Sequence, residues 1–65
     1  MAMTKRQMSL AHYAQTVLEW RAKGWSAASI NRMLISALEL TRSCHPNPSI
    51  DATIVLEIAN GKRCA

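Results

Sequence analysis

The most informative segment of this 65-residue chain is residues 26–41, which read SAASINRMLISALELT. The segment contains no Gly or Pro and is rich in Ala, Leu and Met, which are strong helix formers. Ser26 stands at its start and is a favoured N-cap residue. Its main apolar stripe has the three-and-four spacing of an amphipathic helix and consists of Ile30, Met33, Leu34, Ala37, Leu38 and Thr41. The pattern predicts a helix over residues 26–42.

Two apolar residues of this segment, Ile35 and Leu40, lie off the main stripe. A helix that is apolar beyond one stripe is either central in its domain or covered by a partner. A chain this short has few other elements to cover it. Both interpretations stay open at this point, and the second predicts a homodimer formed through this helix.

The first flanking segment, about residues 4–23, is also predicted to be helical. Thr4 and Gln7 have the spacing of a capping box, in which two side chains bond to the backbone N–H groups at the helix start. Gly24 follows a basic last turn and is typical of a helix end. We set residues 1–3 aside from the fold, as a disordered segment or a cloning remnant.

The third segment, about residues 50–60, follows a break that contains two prolines and cannot continue a helix. Ser49 is the expected N-cap, and Asn60-Gly61 is the expected helix end. The β-branched run 53–55 and the Asn-Gly pair also fit a β-hairpin, whose second arm would be residues 62–65 only. Because so short a hairpin is marginal, we favour a helix. The predicted fold is an all-α, compact three-helix domain over residues 1–65.

The charge balance of the chain restricts its partners. The net charge is +4, and the cations are scattered rather than clustered. This suits a nucleic-acid backbone, an acidic protein partner or an anionic membrane surface. The sequence contains no signal peptide and no apolar run long enough for a membrane span, so we expect a cytoplasmic protein without membrane contact.

No pattern in the sequence predicts catalysis, a cofactor, a bound metal or a small-molecule substrate. Cys44 and His45 are the only adjacent soft ligands, whereas zinc sites usually have paired ligands two to four residues apart. Cys64 and His12 are isolated from them in sequence. The four acidic residues are dispersed, and we expect them on solvated faces. The same Cys44-His45 pair lacks a recognisable third residue that would orient a nucleophile and its base.

The first two predicted helices, joined through Gly24-Trp25-Ser26, have the order of a helix-turn-helix motif. In such a motif, the first residues of the second helix face base edges. Arg and Asn side chains can read guanine and adenine there, and lysines can hold phosphates. The predicted DNA-contacting residues are Lys5, Arg6, Lys23, Ser26, Ser29, Asn31 and Arg32. An equally simple interpretation is that Ser26 only caps the helix and that Asn31 and Arg32 are solvated.

Residues 25–40, WSAASINRMLISALEL, resemble part of the core-binding domain of tyrosine recombinases, the phage-type integrases. Ser29-Ile30-Asn31-Arg32 carries the likeness, with Ser where the family has Thr. Leu18-Glu19-Trp20 and Asn47-Pro48 fit more loosely. The catalytic domain of that family is absent from this chain. The resemblance therefore implies a stand-alone helical DNA-binding module, or a mimic of one, derived from a mobile element.

The competing prediction is a protein-binding module, such as a phage- or plasmid-encoded inhibitor. Aromatic residues and methionine are enriched at interface hot spots. The predicted partner-binding residues are Tyr13, Trp20, Trp25, Met33, Ile35 and Leu40. The alternative is that these side chains form the core of a chain that lacks Phe. From the sequence we rank a small DNA-binding regulatory protein first and the protein-binding module second.

Overall fold

The computed structural model describes residues 2–63, which form three helices and no strand. The helices are α1 (Lys5–Ala22), α2 (Ala27–Leu40) and α3 (Pro48–Ala59). The predicted all-α fold is therefore confirmed, and residues 50–60 belong to a helix rather than a hairpin. Cys64, considered above as a metal ligand, lies outside the described residues.

Helix α1 begins at the predicted capping box. The Thr4 side chain accepts a hydrogen bond from the Gln7 N–H at 3.1 Å, and the Gln7 side chain accepts one from the Thr4 N–H at 2.9 Å. These two bonds satisfy N–H groups that have no partner within the helix.

The turn between α1 and α2 is a Schellman motif centred on Gly24, which has a φ of +89°. The N–H groups of Gly24 and Trp25 donate to the carbonyls of Arg21 and Trp20 at 3.0 and 3.1 Å. A contact between the residue after the glycine and the third residue from the helix end often accompanies this motif. Here it is a stack of Trp25 on Trp20, with ring centroids 5.0 Å apart. The Ser26 side chain then caps α2 by accepting from the Ser29 N–H, as predicted.

Helix α3 begins two residues before its predicted start, because Asn47 is its N-cap. The prediction that Ser49 caps this helix was wrong. Pro48 fits the first helical position, since it lacks an N–H group and its φ is already helical. Asp51 lies in the first turn, where a negative charge interacts favourably with the helix dipole. The helix ends in a second Schellman motif at Gly61, which has a φ of +75°.

The core lies between the three helices, with α3 packed against both α1 and α2. Each helix contributes buried residues at three- or four-residue spacing, as an amphipathic helix does. The buried apolar residues are Leu10, Ala14 and Val17 of α1, Ile30, Leu34 and Leu38 of α2, and Ala52 and Val55 of α3. The β-branched run 53–55 tolerates a helix because Val55 is fully buried there, and tertiary packing overrides a weak propensity.

Candidate functional site

The surface of α2 that points away from the core carries large apolar side chains. Leu40 is 87% exposed and Met33 is 47% exposed. They alternate with Ser29 and Ser36, so that positions 29, 33, 36 and 40 form a second stripe, distinct from the buried one. We call these four residues the outer face of α2. A single exposed leucine is ordinary on a protein surface, but the four positions of this stripe also have the four-three-four spacing of a helix–helix contact.

Two hollows lie on this outer face. The first has a volume of about 520 Å³ and is open to solvent; it is lined by Trp25, Ser29, Arg32, Met33 and Ser36. The second, of about 590 Å³, is shallower and is lined by Ser36, Glu39, Leu40 and Arg42. Each hollow contains a serine of the stripe, whose small side chain leaves space beside a large neighbour. The face therefore has protruding methionine and leucine side chains beside open hollows.

Charged residues border the stripe along one side. Arg32 and Glu39 are exposed, and within the described residues neither has an ion-pair partner. They lie seven residues apart, which is two helical turns, so both project from the same side of α2. Their charges are available to a partner that covers the outer face.

The predicted DNA-contacting residues do not form one surface. Lys23, Ser26, Ser29, Asn31 and Arg32 are exposed around the start of α2. Lys5 and Arg6 lie at the opposite end of α1, roughly 25 Å away for a helix of this length. Arg6 also forms an ion pair with Asp51, so its charge is largely used within the chain. The structure thus gathers five of the seven residues and separates the other two.

The predicted partner-binding residues divide into two groups. Trp25, Met33 and Leu40 are exposed. In contrast, Tyr13, Trp20 and Ile35 are half-buried and pack against the core. Their own chain covers part of each of these three side chains, and their contact with a partner stays a prediction. In particular, Ile35 lies off the main stripe in the sequence pattern, yet it packs against the core.

A second cluster, which the sequence analysis missed, links α1 to α3 through buried polar side chains. Ser9 Oγ lies 2.8 Å from His45 Nε2, and His45 Nδ1 lies 2.6 Å from Asp51 Oδ2. Arg6 completes the cluster through Asp51 Oδ1 at 2.5 Å. His45 and Asp51 are 0% and 2% exposed. The expectations of a solvated Asp51 and of a His45 without orienting neighbours were therefore wrong.

The electrostatics of this cluster favour an ionised Asp51. Burial raises the pKa of Asp51, but hydrogen bonds from Arg6 and His45 lower it by more, so that the net direction is downward from 3.8. Because an ionised carboxylate only accepts hydrogen bonds, the N–H group at His45 Nδ1 donates the hydrogen bond to Asp51. In the neutral ring, Nε2 then accepts from the Ser9 hydroxyl. Tyr13 packs its ring edge-on against the imidazole, with centroids 5.9 Å apart.

The order hydroxyl, imidazole, carboxylate is that of a nucleophilic triad, and here its imidazole is fully buried. A triad needs a serine that a substrate can approach and N–H groups that stabilise the oxyanion. Ser9 lies within α1, where the backbone N–H groups are committed to the helix. Its imidazole partner is fully buried, and the two hollows described above lie on α2. The cluster instead ties α1, the α2–α3 connection and α3 into one unit.

Comparison of the chain with protein-family models, with curated proteins and with solved structures found no match. None of the three described helices combines the length and the hydrophobicity that crossing a lipid bilayer requires.

Proposed function

We propose that this chain is a non-enzymatic protein-binding module, an adaptor or an inhibitor, which binds a helix of its partner along the outer face of α2. The observation that carries this proposal is the exposure of Leu40 and Met33 beside two hollows on one helix face. The small core already buries α2 on its other side, so most of Leu40 and nearly half of Met33 stay exposed to a partner.

The spacing of the stripe supports a helical partner. Positions 29, 33, 36 and 40 follow the four-three-four pattern by which one α-helix packs along another. A partner helix would place its large side chains in the recesses at Ser29 and Ser36. Trp25, which is 37% exposed, borders the first recess and adds an aromatic wall. Such aromatic anchors often carry much of the binding energy of an interface.

DNA binding is the second candidate, and a specific observation favours it. Five of the predicted contact residues surround the start of α2, where Lys23 and Arg32 are exposed. The resemblance to the recombinase core-binding domain includes Asn31 and Arg32. However, two large apolar side chains and Glu39 share this helix surface, and they are poorly suited to a phosphate backbone. Since Arg32 borders the outer face, DNA and a partner helix would compete for this region.

The proposal is tested by selecting binders from a displayed library of amphipathic helical peptides against the immobilised chain. We expect the selected peptides to lose affinity for a Met33→Asp variant by tenfold or more. The matched control is Met8→Asp on α1, because Met8 is 53% exposed and lies off the outer face. Circular dichroism should show that both variants keep their helices.

Two results would contradict the proposal. One is that the selected peptides bind the Met33→Asp variant as well as the unchanged chain. The other is a complex with duplex DNA in a low-salt mobility-shift titration that weakens with salt and is lost on Arg32→Ala. The second result would establish the DNA-binding candidate instead.

A further inference from the structure

The partner of the outer face can be specified from its own shape and charge. We propose that the outer face of α2 binds the same face of a second copy of this chain, with the two α2 helices antiparallel. This inference rests on the proposed function, because it names the occupant of the same surface. It follows from the order of large and small residues along the stripe and from the charges beside it.

The large and small residues match only in the antiparallel arrangement. When α2 is paired with a reversed copy of itself, Ser29 lies opposite Leu40 of the second copy, and Met33 lies opposite Ser36 of the second copy. Each protruding side chain therefore meets a serine and the hollow beside it. In a parallel pair, each position would face itself, so that leucine would meet leucine and serine would meet serine. The parallel layers would alternate between crowded and empty, which costs packing energy.

The bordering charges match in the same arrangement. Residues on the same side of two antiparallel helices face one another, so Arg32 lies beside Glu39 of the second copy. The two-fold symmetry makes the reciprocal pair at the same time. In a parallel pair, Arg32 would instead face the neutral Ala37 of the second copy. Both the shape and the charge of the outer face thus select one orientation.

The size of the face predicts a weak dimer. Helix α2 has 14 residues and is therefore about 21 Å long. A strip of this length and about 10 Å width covers roughly 200 Å² on each copy, which is well below the area of a standard specific interface and fits only a weak, transient contact. We expect a dissociation constant in the micromolar range or above, with monomer and dimer exchanging rapidly.

The first experiment is sedimentation equilibrium of the full chain under reducing conditions, over a series of concentrations from about 5 to 500 μM that spans the expected range. The unchanged chain should pass from monomer to dimer. Met33→Asp should shift the dissociation constant upward by at least tenfold, whereas the control Met8→Asp should leave it unchanged. Circular dichroism of each variant checks that the monomer stays folded.

The second experiment tests the orientation by exchanging charges. Arg32→Glu gives a face with two acidic groups, and Glu39→Arg gives a face with two basic groups. Each variant alone should dimerise about tenfold more weakly than the unchanged chain, since each contact becomes repulsive. A mixture of the two variants, or the double variant with both exchanges, should restore association.

The possible outcomes are distinct. A monomer at every concentration overturns the self-association, while peptide selection decides the proposed function independently. A dimer that Met33→Asp does not weaken overturns the assigned face. A dimer whose charge variants associate normally overturns the antiparallel orientation. Restoration in the mixture supports the complete inference.

Discussion

Replacement of Asp51 by Asn tests whether the buried cluster stabilises the fold through its charge. Asn has nearly the same shape as Asp, so packing is preserved. Its amide oxygen can still accept the hydrogen bond from His45 Nδ1. Its NH₂ group, however, then faces the guanidinium of Arg6, where two donors oppose each other. The substitution thus removes the 2.5 Å contact from Arg6 Nη2 together with the charge, whereas the 3.3 Å contact from Arg6 Nε can stay on the remaining oxygen.

The expected cost is about 2–3 kcal/mol. A hydrogen bond to a charged group contributes about 1.5–3 kcal/mol, and breaking a buried pair costs about 3–5 kcal/mol. We expect a cost in the lower part of the span of these two free-energy ranges, because the Arg6 side chain is 44% exposed and water can replace part of its contact. A chain of this length has a free energy of unfolding of about 3–10 kcal/mol. The loss corresponds to a fall in Tm of roughly 10–20 °C.

The pH dependence separates the charge from a packing effect. The pKa of Asp51 is lower in the folded chain than its ordinary value of 3.8. Its contribution to stability is therefore fully present above about pH 5 and is lost as the pH falls through the folded pKa. Urea unfolding followed by circular dichroism should show a large difference between the unchanged chain and Asp51→Asn at pH 6. The difference should shrink toward pH 2, because the pH then lies below the ordinary pKa of Asp51 in the unfolded chain and approaches its lower pKa in the folded chain.

A control variant tests whether the effect is specific to the buried carboxylate of Asp51. Glu19→Gln removes an exposed carboxylate from α1 and should change the free energy of unfolding by less than about 0.5 kcal/mol. The reasoning is refuted if Asp51→Asn is as stable as the unchanged chain at pH 6. It is equally refuted if the loss stays constant between pH 6 and pH 2.

Three further predictions concern the free energy of unfolding, measured by urea titration at concentrations where the chain is monomeric. Leu34→Ala should cost about 2–5 kcal/mol because Leu34 is fully buried, whereas Leu40→Ala should change it by less than about 0.5 kcal/mol because Leu40 is exposed; equal effects would contradict the assigned faces of α2. Ser26→Ala should cost about 1 kcal/mol through loss of the cap of α2, and Ser49→Ala almost nothing, so a larger effect at Ser49 would place the cap there after all. Gly24→Ala should cost about 1 kcal/mol, since its φ of +89° strains any residue with a Cβ atom; a neutral result would mean that the turn can change its conformation freely.

The helices could be predicted from the sequence because the signals that define them are local. The capping box at Thr4, the cap at Ser26 and the glycine ends at positions 24 and 61 each depend on residues within one or two turns. The start of α3 was misplaced because two capping residues compete there. Asn47 prevails over Ser49, since Pro48 sets the first helical position.

The buried cluster could not be predicted, because its members are distant in sequence. Arg6 and Asp51 are 45 residues apart, and Ser9 and His45 are 36 apart. Periodicity compares neighbours within a helix and does not show which polar residues of two helices meet. The only sequence signal was indirect: His45 and Asp51 flank two prolines that fix the connection between α2 and α3. The outer face of α2 was predicted in part: Leu40 was placed off the main stripe, whereas Met33 was placed both on that stripe and among the partner-binding residues, and the sequence did not decide between the two.

The stacked indoles at the α1–α2 connection give the chain an intrinsic fluorescence probe of that turn. Trp20 and Trp25 are the only tryptophans in the sequence, so all indole emission comes from one turn. Their planes are 3° from parallel, and separation of the rings on opening of the turn should change the emission spectrum. Fluorescence therefore reports on the α1–α2 turn alone, while far-ultraviolet circular dichroism reports on all three helices. If the fluorescence transition precedes the dichroism transition during denaturation, the α1–α2 turn opens before the helices unfold.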